Sequence, residues 1–302
     1  MTAPATDTMF DRLLFPTDGS DGAAVALDYA LDLAAEHGST VHVLNVPDTA
    51  LYSPFQMDGD VVDALEAQGE RIVRDAADRA AERGVETVTE VESGDPYQEI
   101  IDYAASHDID LTVMPTHGRR GLERFLLGST TERVVRRADG PVLTLRPDAE
   151  IEFTYPSQRV LAPTDGSECA RAALEMSVDV ASTTGAALSL LTVVDVVSVG
   201  VDVRSDLKTS MLEEAADEIL DEASSVAKTR GVEPTDETVV YGPSVARAIR
   251  SHIEEQDIDL VVVGTHGRTG FDRYVLGSVT EHLVRTAPVP VLTVRESTAE
   301  GS

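Results

Sequence analysis

Lysine is almost missing from this sequence. Of 302 residues two are lysine, Lys208 and Lys228, and 24 basic residues face 54 acidic ones, for a formal charge of −30. Such a surface is solvated and self-repelling. Together with the lysine shortage it suits a high-salt, halophile-like cytoplasm, where screening over a few ångströms removes most of the repulsion. It argues against general nucleic-acid binding, which needs a basic face. A phosphate ligand stays open, because it needs only local donors. Tryptophan is absent, and the one cysteine, Cys169, allows no intramolecular disulfide or thiolate metal cluster and reads as a small apolar helix residue. Long apolar runs are also missing: residues 188–201 are broken by Asp195 and are too short for a clean membrane span. Residues 1–8 lack the basic start and apolar core of a signal peptide. The expected chain is soluble and cytoplasmic, with no nucleic acid or membrane among its partners. Neither a Gly-x₄-Gly-Lys-Ser/Thr loop nor a Gly-x-Gly-x-x-Gly fingerprint occurs.

What the sequence does have is repetition. Phe15-Pro-Thr-Asp-Gly-Ser20 returns as Ala162-Pro-Thr-Asp-Gly-Ser167, and Pro141-Val-Leu-Thr-Leu-Arg146 returns as Pro290-Val-Leu-Thr-Val-Arg295. A period of about half the chain means duplicated domains, since solenoid repeats run about 20–50 residues. The expected domains are 9–147 and 158–296, joined by a linker that holds Pro147, Pro156 and acidic residues.

Each half alternates short apolar runs with helical patterns. In the first half, strands are expected at 12–16, 40–46, 86–92, 110–115 and 141–146. Helices are expected from Ser20 or Asp21 to Gly38, and over 63–83, 96–106 and 129–137. The second half repeats this order. The third strand, with Thr87/Thr89 set against Val88/Val91, reads as a half-buried sheet edge. Residues 47–60 and 196–206 read either as lids over a ligand or as surface flaps. Strands alternating with helices imply parallel pairing through right-handed crossovers. The fold class is therefore α/β: two tandem Rossmann-like domains, each with a five-stranded parallel sheet.

Chemistry is expected at the carboxyl ends of the strands, where the strand order reverses. There Asp18 or Asp165, after the first strand, meets a glycine-rich loop after the fourth. That loop reads Gly264-Thr-His-Gly267, nine residues, then Gly277-Ser278. Its earlier copy reads Pro115-Thr-His-Gly118, nine residues, then Gly128-Ser129. Glycines admit tight turns and close ligand approach. A helix N-terminus with free N–H groups and a hydroxyl is an anion site. The layout fits a phosphate cradle, or a tight turn with an N-cap. Asp18 and Asp165 suit a ribose hydroxyl, an adenine amino group or a metal, or serve as turn residues. The earlier copy has Pro115 where the later has Gly264, and proline fixes φ and removes an N–H.

Gly-x-x-Gly-x₉-Gly-(Ser/Thr), Pro-Thr-Asp-Gly-Ser and Thr-His-Gly-Arg-x-Gly together resemble the universal stress protein family, over nearly the whole chain and as a tandem pair. The resemblance implies an adenine nucleotide alpha hydrolase-like fold and, in one branch, bound ATP. Carried over by position, it implies that Pro163, Thr164 and Asp165 meet the adenosine, Val193 lies against adenine, and Gly264, His266, Gly267, Gly277, Ser278, Val279 and Thr280 line the phosphates. Ser278 and Thr280 would reach phosphate or a Mg²⁺ or Mn²⁺ ion. His266 is read equally as a ligand-bordering or a loop-packing residue, and Arg268 and Arg273 as phosphate-side charges or surface ion pairs. In the first half Asp18, Val46, Gly118, Gly128, Ser129 and Thr130 match. Pro115 makes the second half the better expected site. The resemblance further implies a regulatory or protective stress-response role, an unidentified protein partner and pairing of the last strands, giving an intramolecular pseudo-dimer; a homodimer stays open. No general base stands beside the cradle. The alternatives are a nucleotide-independent interaction scaffold and a slow metal-dependent ATPase.

Overall fold

The computed structural model describes residues 9–48, 59–118, 127–147, 153–196, 206–267 and 276–296. The flap or lid stretches at 49–58 and 197–205 lie outside them, as do Arg268 and Arg273. The chain divides into two units at Pro156/Ser157.

The first unit runs β1 (Arg12–Pro16), α1 (Asp21–His37), β2 (Thr40–Asn45), α2 (Gly59–Glu82), β3 (Thr87–Val91), α3 (Pro96–Ser106), β4 (Leu111–Pro115), α4 (Ser129–Arg137) and β5 (Val142–Leu145). The second runs β6 (Arg159–Pro163), α5 (Glu168–Thr184), β7 (Ala187–Asp195), α6 (Asp206–Thr229), β8 (Asp236–Gly242), α7 (Val245–Glu255), β9 (Leu260–Gly264), α8 (Ser278–Thr286) and β10 (Val291–Val294). The strand orders are β3-β2-β1-β4-β5 and β8-β7-β6-β9-β10, with every pairing inside each unit parallel. The order reverses between β1 and β4, and again between β6 and β9. That reversal opens a crevice at the carboxyl ends of these strands.

Strands covered on both faces read as continuous apolar runs. Leu13, Leu14, Phe15, Leu44, Leu111 and Leu145 are sealed from solvent in the first unit, and Leu161, Leu188, Leu190 and Leu191 in the second. The first helix of each unit is punctuated by its own sequence. Ser20 and Ser167 cap α1 and α5 by accepting from Ala23 N–H and Ala170 N–H. Gly38 and Gly185 end them at φ 69° and 73°, where a Cβ is penalised. The edge strand β3 departs from the half-buried pattern expected of it. Val88 is 41% exposed, because an edge strand is covered on fewer sides than an interior one.

Opposite the crevice each sheet is clamped at its foot. The Asp110 carboxylate accepts from Asp11 N–H and Arg12 N–H, both at 2.8 Å, and the Arg12 guanidinium donates to His107 O at 2.9 Å. Asp259 and Arg159 repeat the clamp on Gln158 N–H, Arg159 N–H and Gln256 O. The clamp sets the start of the first strand against the fourth, the two strands whose far ends build the crevice.

Buried histidines give the fold a pH dependence with a definite sign. His42 in β2 shares a hydrogen bond with the Tyr103 hydroxyl of α3 at 3.0 Å, and His252 of α7 is 5% exposed. Burial holds the imidazoles of His37, His42, His117 and His252 below their usual pKa. The unfolded chain therefore takes up protons first, near pH ~6.5. The stability these neutral rings contribute is complete above that pH and is lost as pH falls below it. Urea midpoints measured in high salt at pH 7.5 and pH 5.5 are expected to drop at the lower pH. A midpoint that rises instead would refute the assignment.

Candidate functional site

In both units the chain leaves the first strand through a turn that satisfies itself. Thr17 Oγ1 accepts from Gly19 N–H and Asp18 Oδ1 from Ser20 N–H; Thr164 and Asp165 do the same for Gly166 and Ser167. Gly19 and Gly166 take φ of 71° and 74°. These bonds are the turn role foreseen for the aspartates, and they engage one carboxylate oxygen of each. The other oxygen faces the glycine loop. A Cβ built on Gly267 would stand 2.8 Å from Asp165 Oδ2, and one built on Gly118 would run into Asp18 Oδ2. The glycine is required there because a carboxylate already occupies the space of a side chain.

The loop closes on its own beginning. Gly128 N–H donates to Thr116 O at 2.7 Å, and Gly277 N–H to Thr265 O at 2.8 Å. Just beyond, Thr131 Oγ1 donates to Pro115 O and Thr280 Oγ1 to Gly264 O, at 2.9 and 2.7 Å. The Thr280 hydroxyl is thus buried and turned back to the strand, away from the position expected of a phosphate or metal ligand. Ser129 and Ser278 are exposed at the first helical position, with Thr130 and Val279 half-buried beside them. Gly128 and Gly277 are the N-caps of α4 and α8, and neither helix has a side-chain cap among the described residues. This contrasts with the serine-capped α1 and α5. Among the described residues no side chain caps the first N–H groups of α4 and α8, which suit water or an anion.

Val46 and Val193 follow from strand geometry. Backbone groups of successive residues alternate sides along a strand. Leu44 O accepts from Thr17 N–H and Leu191 O from Thr164 N–H, toward the first strand of each unit. Asn45 O accepts from Glu92 N–H on the other side. Val46 and Val193, two residues on, therefore turn their N–H and C=O toward the first strand, beyond its end. Sequence reading missed two residues here. Asn45 Nδ2 donates to Thr17 O at 2.7 Å and Thr192 Oγ1 to Thr164 O at 3.2 Å, tying the second strand to the turn. Their signal was a polar residue inside an apolar strand, at the same place in both repeats.

Gly264 has a packing role. A Cβ there would meet the backbone C and O of Cys169 at 2.8 Å, so the residue lets β9 press against the first turn of α5. Cys169 itself is buried, with Sγ 3.6 Å from Thr265 Oγ1 and 3.5 Å from Val294 O. In the first unit the arrangement is exchanged: the helix residue is Gly22 and the strand residue is Pro115. A Cβ on Gly22 would stand 2.9 Å from Pro147 Cγ and 3.1 Å from His117 O. Pro115 keeps its pairing with Leu145, and the hydrogen bonds that close the loop are the same in both units. His117 and His266 turn Nδ1 to the preceding threonine hydroxyl, at 3.2 and 2.9 Å. His266 Nε2 is buried with no hydrogen-bond partner among the described residues. No cluster of three or more His, Cys, Asp or Glu with metal-site geometry occurs among the described residues.

A doubly wound parallel sheet with a glycine loop opposite a carboxylate turn, present twice, defines a tandem Rossmann-like protein. The profile of the universal stress protein family matches residues 9–146 and 156–295, and the chain belongs to that family. It is 34% identical over 143 residues to a universal stress protein of Methanocaldococcus jannaschii, across 46% of this chain and 84% of that one. It is 29% identical over 295 residues to a universal stress protein of Mycobacterium tuberculosis, across 91% and 97%. The crystal structure of a universal stress protein from Archaeoglobus fulgidus superposes with a TM-score of 0.72 at 25% identity, covering 95% of this chain and 99% of that one. Among the described residues no helix is long and apolar enough to cross a membrane.

Proposed function

We propose that each unit binds an adenine nucleotide, ATP in the first instance, and that the protein acts as a nucleotide-responsive regulatory or protective stress protein of the cytoplasm. The observation that carries this reading is the pair of glycine-capped helices, α4 and α8, that follow loops whose Gly118 and Gly267 face Asp18 and Asp165. A polyphosphate supplies the acceptors those N–H groups need. The carboxylate opposite is repelled by phosphate and suits a ribose hydroxyl. The outward backbone of Val46 or Val193 offers one donor and one acceptor, as an adenine edge requires. The exposed Ser129 and Ser278 hydroxyls suit phosphate or a Mg²⁺ or Mn²⁺ ion. Such an ion would neutralise phosphate charge on a chain of formal charge −30.

Pro115 gives weak ground for ranking the second unit above the first. Its counterpart Gly264 faces helix α5 rather than the cradle. Two nucleotides per chain are therefore expected. Mass spectrometry of small molecules released from protein purified in high salt, followed by calorimetric titration with Mg-ATP, measures the ratio. One per chain would restore the asymmetry that Pro115 first suggested. None would leave a nucleotide-independent scaffold.

A further inference from the structure

The first unit carries a cationic cluster that the second lacks. Helix α4 holds Arg133, Arg136 and Arg137, three of the chain's 24 basic residues within nine positions. Two of them share one aromatic ring. The guanidinium carbons of Arg133 and Arg137 lie 4.9 and 5.1 Å from the centroid of Tyr97, at the start of α3. Arg137 also donates to the Tyr97 hydroxyl at 3.0 Å. Arg136 is engaged with Glu132 at 2.6 Å. At the equivalent places the second unit has Ala246, His282 and Thr286, so the fold itself does not require the cluster.

The ion pairing is incomplete. Acidic residues outnumber basic ones by more than two to one. Yet Arg137 has no carboxylate partner among the described residues, and Arg133 has only Asp95, at a long 3.5 Å with both side chains about half exposed. Like charges four residues apart on a helix repel. Here the face of Tyr97 holds them together through cation–π attraction. A guanidinium held over a ring keeps N–H donors for other acceptors; Arg137 spends one on the Tyr97 hydroxyl and has others to offer. Two guanidinium groups gathered at one ring suit a tetrahedral oxyanion with several oxygens and two negative charges better than a single carboxylate, which one fork satisfies.

We propose that Arg133, Arg137 and Tyr97 form a binding site for a phosphate group, separate from the two glycine loops. The ligand class is a small phosphate-bearing anion. Binding displaces Arg133 from its weak contact with Asp95 and brings both forks onto one phosphate. The tyrosine sets their spacing.

The test uses full-length protein with labelled arginine, titrated with inorganic phosphate at constant ionic strength while the arginine Nε–H resonances are followed. Saturable shifts of Arg133 and Arg137 are expected in wild type and in a Gly128→Asp/Gly277→Asp variant whose loops are blocked. Arg137→Ala should weaken them at least about tenfold, and Tyr97→Leu likewise, with thermal melting confirming that both variants fold. Acetate at the same ionic strength should not saturate. The proposal fails if chloride or acetate produces the same shifts, if the shifts vanish in the loop-blocked variant, or if Arg137→Ala leaves phosphate binding unchanged.

Discussion

Gly277→Asp is expected to abolish nucleotide binding in the second unit without unfolding it. Gly277 sits at φ −62° and ψ 141°, a conformation that any L-residue adopts. A Cβ there approaches Thr265 O at 3.3 Å, which a shift of a few tenths of an ångström relieves. Aspartate is among the best N-caps. Its carboxylate would take the N–H groups of α8 that the phosphates are proposed to use, and would place a negative charge where they must lie. The helix gains a cap and the ligand loses its donors. The expected loss is about 3 kcal/mol, roughly a hundredfold in Kd. Calorimetry should then count one nucleotide per chain, and the Gly128→Asp partner should remove the other. A melting temperature at or above wild type would show that the loss is not unfolding. Undiminished binding of two nucleotides would remove the cradle from the reading.

The second large effect concerns salt. With a formal charge of −30, the folded chain holds many like charges closer together than the unfolded chain does. The ion pairs that relieve this are mostly half-exposed. Arg230 bridges Glu175 and Asp179 at 3.1 and 3.0 Å, and Arg79 and Arg83 meet on Asp28. Raising NaCl from 0.1 to 1 M shortens the screening length from about 10 to about 3 Å. Repulsion summed over the surface is removed, while contact pairs lose little, and exposed pairs contribute only about 0–1 kcal/mol each in any case. The melting temperature is expected to rise by on the order of 10 °C across that range. A fall would mean that attractive pairs outweigh the net charge. Sucrose at matched viscosity separates screening from general exclusion effects.

Much of the fold was written in the sequence, for a physical reason. Buried parallel strands must be apolar throughout, and runs such as Leu260–Gly264 stand out from an acidic background. The turn Thr-Asp-Gly-Ser was legible because its four residues act locally, as hydroxyl acceptor, carboxylate acceptor, positive-φ position and helix cap in that order. The approach of Asp18 to Gly118 followed from the reversal of strand order, which the alternation of elements implied. What stayed hidden was direction. Thr280 and Ser278 are both hydroxyl residues at a helix start, and only the helical rotation between them turns one inward to Gly264 O and leaves the other exposed. Gly264 was equally ambiguous, since a glycine that clears a ligand and one that clears a helix look alike in one dimension. Asn45 and Thr192 went unread because a polar residue in a strand does not say which carbonyl it will reach.

The exchange at the top of the fourth strand bears on how the duplicated halves have drifted. In one half the bare strand position Gly264 lies against the backbone of Cys169 and Ala170; in the other the bare helix position Gly22 lies against Pro147 and the His117 carbonyl. Each glycine is fitted to its own surroundings, so the copies are no longer interchangeable one residue at a time. A proline transplanted to position 264 would meet the backbone of Cys169 and Ala170, and a cysteine at position 22 would crowd Pro147 and the His117 carbonyl. Exchange of a single residue between the repeats is therefore expected to lower the melting temperature, whereas exchange of helix and strand together is not.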